Sequence, residues 1–599
     1  MGQVFGAVFP LVILGAIVAL IVFIVRRRRG DALRSDPGIG TLRRLYFYGV
    51  SFVALMMAAN GVVQIARYVL DAVADEGVVS TSRTPLAIGL SLLIVGLPLW
   101  LLHWMTVQRQ VKRLPVETES VVRKVYLVAV MGVSVALAVA TAINLLQWVL
   151  RVDEFDGYSL ASLIVWSAVW VFHWRVDSEE GYGSNETQAV HRIYLYIVSL
   201  SALSLLAVGL GQAVHIVLQE GYDALVSSPV VRFGGDGLWR DSIRTSLAVA
   251  VVGAVLWAGH WLRLAARDAS SGARMLAAMV FPVIGGAVTV LVAAILIVNG
   301  VLQWLLGATS DEASAHFSFL SGAMASLAVG AVIWAYHWRV VQREGPDSEY
   351  GITGLERAHS YALAALGLGA VVVSISMLVF ASFTTFVETG RELLASEDVW
   401  REPMAAGLSV GLLGLPLWAY LWVSAQRRAE TLGAAERALL PRRIFVGVIL
   451  GVGMLAVLSS VSAVIFVFLR DVLGVGLDKD TVRDSSVALG ALAAAVVFLP
   501  YYWTVYKKDR LSEPPPKATP AEGKEVMVMI TVDDETFVDG LEDALGRGVD
   551  ILRRADSASA PAAMTAEAYE ELVQRIGAAE GRNVLVVADG EAVAVLSYR

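Results

Sequence analysis

The 599-residue chain contains no cysteine. That absence excludes disulfides, thiolate zinc sites, iron–sulfur clusters, covalently attached c-type haem and cysteine nucleophiles together, and it removes the usual redox clue to compartment. Charge is scarce too. Only 17% of residues are charged, against about 25% in soluble proteins, while 57% are hydrophobic and the mean hydropathy is +0.65. Such a composition belongs to a membrane protein. The net charge of −7 is small for this length and most of the acid lies in loops and the C-terminal region, so no nucleic-acid partner is expected. No phosphate loop, catalytic triad or metal-ligand signature occurs, so no catalytic or metal-binding residue is assigned.

A bilayer core of roughly 30 Å is crossed by about 20 predominantly apolar residues. Thirteen such stretches are present, near 8–25, 45–69, 86–107, 125–150, 158–174, 193–217, 245–262, 276–306, 318–338, 359–383, 404–424, 443–469 and 485–506. The fifth is short, and the eighth is long enough to tilt. Short basic loops resist translocation. Arg26 to Arg29 directly follow the first stretch, and later loops of the same side carry Arg109, Lys112, Arg113, Arg123 and Lys124, then Arg263, Arg267 and Arg274, then Arg427, Arg428, Arg437, Arg442 and Arg443. The opposite loops are poorer in bases, apart from the one holding Arg232, Arg240 and Arg244. The expected orientation is N-terminus outside and C-terminus in the cytoplasm. Because its positive charges follow the apolar run, the first stretch reads as a retained reverse anchor rather than a cleaved signal. Arginine greatly outnumbers lysine, as in GC-rich bacterial genomes, and the expected location is a bacterial inner membrane.

Self-comparison reveals repetition. Beyond the anchor (1–30), the helices pair into six hairpins at 31–115, 116–180, 181–268, 269–345, 346–430 and 431–510. Four first helices begin with a base and aromatics, as in Arg44-Leu45-Tyr46-Phe47-Tyr48, Lys124-Val125-Tyr126, Arg192-Ile193-Tyr194-Leu195-Tyr196 and Arg443-Ile444-Phe445. All six second helices end in aromatics: Trp100 to Trp104, Trp170 to Trp174, Trp257 to Trp261, Trp334 to Trp338, Trp418 to Trp422 and Phe498 to Trp503. Every hairpin starts and returns on the same side, so these are parallel repeats, unlike the inverted duplication of many secondary transporters.

A basic, tyrosine-rich start followed by a Leu-Pro-Leu-Trp-x-x-His-Trp end resembles the bacterial membrane family known as domain of unknown function 5671. The likeness is clearest at about 43–104, 123–174 and 192–261 and weaker beyond. The resemblance implies tandem copies of one helical module and supplies no chemistry.

Two repeated features are candidate sites. His103, His173, His260 and His337 fall between tryptophans at one depth. Haem needs an axial ligand such as histidine, and two imidazoles on facing helices could hold haem b. Tryptophan and tyrosine also concentrate at membrane interfaces, so interfacial anchoring is the expected role. Near the other ends of four first helices lie Asn60 with Gln64, Asn144 with Gln147, Gln212 with His215, and Asn299 with Gln303. Spacings of three or four put each pair on one helix face. They could line a polar path, but hydrogen bonding between helices, worth about 0.6–2 kcal/mol, is the expected role. Ionisable groups at mid-membrane usually mark ion paths, and the helix centres contain essentially none; Arg67 is the clearest charge inside an apolar stretch. Proton pumping and ion-coupled antiport are therefore not expected.

A proline-rich linker (511–523) leads to a soluble α+β domain (524–599). A strand is expected over Val526–Val532, helices over Phe537–Arg554 and Ala566–Ala578, a loop between them, and a hairpin of Asn583–Val587 and Ala592–Tyr598 around Asp589-Gly590-Glu591. Asp533-Asp534-Glu535 reads as a helix cap rather than a cation site. The whole is expected to be an all-α polytopic membrane protein with a small C-terminal α+β domain. The expected role is a non-enzymatic scaffold, sensor or accessory subunit whose domain meets a protein partner. The alternatives are a transporter or channel for a neutral or amphipathic solute and a haem-binding electron carrier.

Overall fold

The computed structural model describes residues 39–74, 83–181, 184–226, 238–269, 271–309, 311–347, 351–388, 400–474, 476–511, 524–530, 536–546, 548–553, 564–579, 583–589 and 592–598. The expected first span, Arg26 to Arg29, most of the proline-rich linker and Asp533 to Glu535 lie outside the described residues. The chain forms two bodies. One comprises the described residues of Met1–Thr431 and Leu439–Trp503, the other those of Leu432–Ala438 and Thr504–Arg599.

Among the described residues, twelve helices are long and apolar enough to cross a membrane, matching the second to thirteenth expected spans. They are α1 (Ile39–Ala74), α2 (Thr84–Arg113), α3 (Val121–Val149), α4 (Gly157–Glu180), α5 (Asn185–Val226), α6 (from Leu238), α7 (Gly272–Leu305), α8 (Ala313–Glu344), α9 (Gly351–Glu388), α10 (Arg401–Thr431), α11 (Leu440–Leu473) and α12 (Lys479–Leu511). This is a multi-pass membrane protein. Helix α6 is α-helical to Trp257, then opens into a π-helical turn at Ala258–Leu264 that carries His260 and Trp261. Helix α7 has a second π turn at Met279–Ile284 around Pro282, whose missing N–H removes one rung of the ladder.

The helices pack as antiparallel pairs, α1 on α2, α3 on α4, α5 on α6, α7 on α8 and α9 on α10. Lipid offers no hydrophobic drive between helices, so close backbone approach through small residues must supply the contact. A Cβ on Gly96 would stand 2.6 Å from Ala58 N, one on Gly209 2.4 Å from Ala250 N, and one on Gly367 2.6 Å from Trp418 N. Successive pairs then associate in fours: α1 packs on α4 and α3, α5 on α8, and α9 on α11. The repeat seen here is thus a unit of four helices, α1–α4, α5–α8 and α9–α12, the first two each made of two packed hairpins.

The C-terminal body holds a four-stranded sheet of β1 (Glu525–Ile530), β2 (Asp550–Arg553), β3 (Asn583–Asp589) and β4 (Ala592–Tyr598) in the order β2-β1-β3-β4. Both β2 and β3 run parallel to β1, and β3 pairs antiparallel with β4 as expected. Helices α13 (Thr536–Leu545) and α14 (Ala566–Ala578) contribute Phe537, Leu541, Leu572 and Ile576 to a core with Val526, Val528, Val584 and Val586. The expected helix over Phe537–Arg554 is corrected. It stops at Leu545 because Gly546 takes φ +68°, a left-handed conformation that suits glycine, and residues 550–553 become a strand.

Candidate functional site

One polar cluster recurs three times at the end of the bundle where odd-numbered helices begin and even-numbered ones end. In the first unit Arg123, at the start of α3, is fully buried. Its Nε donates to Glu180 Oε2 on α4 at 2.8 Å, its second terminal nitrogen makes a shorter bond to the same carboxylate, and Nη1 donates to the Tyr48 hydroxyl on α1 at 3.1 Å. Its guanidinium lies over Trp104 of α2, 5.7 Å from the ring centre. One arginine therefore touches all four helices.

The second unit repeats this with Arg274 on α7, whose Nε and Nη2 donate to Glu344 on α8 at 2.5 and 2.9 Å, and whose guanidinium sits 4.4 Å above Trp261 of α6. Tyr196 of α5 packs edge-on against that indole. In the third, Arg442 of α11 lies 5.5 Å from the Trp422 ring of α10 and donates to the Tyr361 hydroxyl of α9 at 3.4 Å and to Gln426 at 3.0 Å. A planar guanidinium suits this position because it can bond a carboxylate through two nitrogens and stack on an indole at once. Further bidentate pairs tie the first helix of units one and two to the connection that follows the second: Arg44 to Glu117 at 2.9 and 3.0 Å, and Arg192 to Asp268 at 2.7 to 3.2 Å. Lys124 donates to Asp177 at 2.6 Å, with His191 of α5 2.9 Å from the other carboxylate oxygen.

The expectation that these bases stand in loops is corrected for Arg123, Lys124, Arg274 and Arg442, which lie inside helices and are buried. The signal available in sequence was the acid seven residues after a histidine on the same helix, His173 with Glu180 and His337 with Glu344.

The four histidines share one geometry. Each is buried, and Nδ1 of His103, His173, His260 and His337 lies 2.8, 2.8, 3.1 and 2.9 Å from the carbonyl four residues earlier. A carbonyl only accepts, so Nδ1 carries the proton and Nε2 the lone pair. The Tyr126 hydroxyl bonds His173 Nε2 at 3.4 Å and that of Tyr194 bonds His260 Nε2 at 3.5 Å. His337 Nε2 is buried without a hydrogen-bond partner, and Ala277 stands where the first unit has Tyr126. Trp104 and His173, Trp261 and His337, and Trp422 and Tyr502 are equivalent ring pairs with centres 5.8, 5.3 and 5.0 Å apart. Each unit therefore has at most one histidine with an open Nε2, which does not fit a haem held by two histidines of one unit. Among the described residues no group of three or more His, Asp or Glu is placed to hold a metal ion.

The units are joined by a repeated bond. Trp170 Nε1 of α4 donates to the Tyr194 hydroxyl of α5 at 2.8 Å, and Trp334 Nε1 of α8 donates to His359 Nε2 of α9 at 3.3 Å. Tyr194 and His359 hold the same place in their helices.

At the opposite end, Asn60 bonds the Met56 carbonyl of its own helix at 2.9 Å. Gln64, Asn144, Gln147, Gln212, His215, Asn299 and Gln303 make no side-chain hydrogen bond to another helix among the described residues, and Asn144 and Gln212 are exposed. Asn144 lines a cavity of about 230 Å³ with Trp148, Asp153 and Glu154. Arg67 pairs with Asp71 at 3.3 Å, one turn on.

No curated protein and no solved structure matches the chain. A family model matches it three times in tandem, at residues 44–154, 192–323 and 357–499. The matches begin at Arg44, Arg192 and Arg357, the corresponding residue of each four-helix unit, and continue into the third unit, where likeness was expected to be weak. Since they cover more than half of the chain, the protein belongs to the family described as domain of unknown function (DUF5671).

Proposed function

We propose that the protein is a non-enzymatic membrane scaffold or accessory subunit, with the helical units as a rigid platform and the C-terminal α/β body as the part that meets a protein partner. The observation that carries this reading is the use of every clamp arginine in bonding between helices. Arg123, Arg274 and Arg442 are engaged by carboxylate, amide, tyrosine or indole groups from their own unit, so the strongest charges in the bundle are tied to structure. The positive-inside bias supports the clamps and the C-terminal body facing the cytoplasm of a bacterial inner membrane. Purification in mild detergent followed by mass spectrometry should recover a stoichiometric companion protein. That companion should vanish when residues 524–599 are deleted. A lone protein that carries a solute across liposomes would overturn the reading.

The cavity beside Asn144 supports a second reading, a carrier or channel for a neutral or amphipathic solute. Under it, Asn144→Leu abolishes flux in liposomes while the protein stays folded; unchanged flux removes that site.

A further inference from the structure

Three residues after each clamp arginine, the second unit departs from the other two. In the first unit that residue is Tyr126, whose ring centre stands 5.4, 5.8 and 5.8 Å from those of Tyr48, Trp104 and His173. In the third it is Phe445, at 5.5, 5.1 and 5.8 Å from Tyr361, Trp422 and Tyr502. One box is thus built twice, three aromatic walls around a fourth ring. The second unit keeps the walls, Tyr196, Trp261 and His337, but has Ala277 in place of the fourth ring. The next residue also shrinks, from Leu127 to Ala278, and Met279 in place of Val128 returns little of that volume.

Loss of a ring from a packed core is ordinarily absorbed in part by collapse of its walls. Here the walls keep their spacing. Trp261 and His337 are 5.3 Å apart, between the 5.8 and 5.0 Å of the units that hold the ring. An acceptor is left over as well: His337 is 1% exposed and its Nε2 has no hydrogen-bond partner, whereas in the first unit the Tyr126 hydroxyl donates to His173 Nε2. Buried polar atoms without a partner are rare. Among the described residues the only π turns are Ala258–Leu264, which carries Trp261, and Met279–Ile284, which begins two residues after Ala277. Such turns lie frequently at functional sites. Leu276 and Val280, beside Ala277 on α7, are 57% and 42% exposed, so the strip of helix next to the box faces lipid.

We propose that the second unit binds a hydroxyl-bearing aromatic ring, a phenol or quinol, in the place that Tyr126 fills in the first unit. The hydroxyl donates to His337 Nε2 and the ring packs against Tyr196 and Trp261. A plain hydrocarbon ring would leave the histidine unpaired, and water alone would leave the aromatic walls without the ring they enclose elsewhere. The site belongs to the helical platform and does not depend on a protein companion of the C-terminal body.

The test uses the full chain in lipid nanodiscs, with para-fluorophenol as the probe and fluorine NMR as the readout. One saturable equivalent per chain is expected. Para-fluoroanisole, which lacks the O–H, should bind at least tenfold more weakly. His337→Phe should weaken para-fluorophenol at least tenfold, and Ala277→Tyr should abolish its binding while keeping or raising the thermal midpoint of the protein. Tyr126→Ala opens the same box in the first unit and should raise the stoichiometry to two, a gain that misfolding cannot produce. Lipid extracts of chain purified from native membranes separate the sources. An isoprenoid quinol retained by the parent and lost from Ala277→Tyr assigns a lipid headgroup; para-fluorophenol binding with no quinol retained assigns a free phenol. Absence of saturable binding overturns the proposal. So does equal affinity for para-fluoroanisole, binding that survives Ala277→Tyr, or a lowered midpoint in that variant, which would show the place already filled by the protein.

Discussion

Replacing Arg123 by methionine while Glu180 stays in place isolates what one clamp contributes. The two side chains are 0% and 11% exposed, so removing the guanidinium strands a carboxylate where water barely reaches it. Breaking one side of a buried pair costs about 3–5 kcal/mol. Loss of the contact with Trp104 adds about 0.5–2 kcal/mol and loss of the Tyr48 bond about 1 kcal/mol. Because terms sharing one residue do not add, the expected total is about 4–5 kcal/mol, or roughly a thousandfold in the unfolding equilibrium. Reversible unfolding in mixed micelles, followed by tryptophan fluorescence, measures it directly. Arg123→Met with Glu180→Met should recover most of the loss, since apolar replacement of both partners removes the stranded charge. Arg123→Lys should fall between, as an ammonium cannot bond both carboxylate oxygens in a plane and stack on an indole. Arg244→Met is the control: its pair with Asp241 is 41% and 49% exposed, so a change within about 0.5 kcal/mol is expected. If Arg123→Met shifts stability no more than Arg244→Met, or the double variant is no better than the single, the clamps do not hold the units together.

Other consequences follow from the same packing. His173→Phe leaves the Tyr126 hydroxyl without its acceptor and should cost about 1–3 kcal/mol, whereas His337→Phe removes an Nε2 that has no partner and should lie within about 1 kcal/mol of the parent in the same assay. Gly96→Leu must displace Ala58 of the neighbouring helix, since its Cβ alone would lie 2.6 Å from the backbone, and should destabilise by about 1–3 kcal/mol or abolish folding; Gly447→Leu should do neither. Trp170→Phe removes the bond across the first junction, and a limited-proteolysis pattern with new cuts between α4 and α5 is the expected outcome. In the C-terminal body, Gly546→Ala forces a side chain into a left-handed turn and should lower stability by about 1 kcal/mol, read from denaturant unfolding of the full chain.

The helical hairpins were legible because apolar runs and aromatic helix ends are local patterns, and the lipid requirement of about 20 residues sharpens each boundary. The grouping into fours was not. It depends on α1 returning to α4 and α5 to α8, contacts between segments whose sequences resemble one another and so do not single out a partner. The clamp arginines are visible in the sequence, but their partners are not. A base near a helix end satisfies both the positive-inside rule and a buried ion pair, and only the carboxylate brought from another helix distinguishes them. The histidines were found for the right spacing, yet the partners that occupy their Nε2 atoms, Tyr126 and Tyr194, come from other helices. In the C-terminal body α13 ends before the expected Arg554 for a local reason, since the glycines at 546 and 548 interrupt a spacing of apolar residues that continues to Val549 and Leu552.

All three clamps gather at a single rim of the membrane bundle. Toward the other rim the ties are lighter, such as Asp71 accepting from Gly157 N at 3.0 Å and Arg401 donating to the Gly307 carbonyl at 2.8 Å. Separating helices at the clamped rim would strand buried charge, so that rim is the costlier one to pull apart.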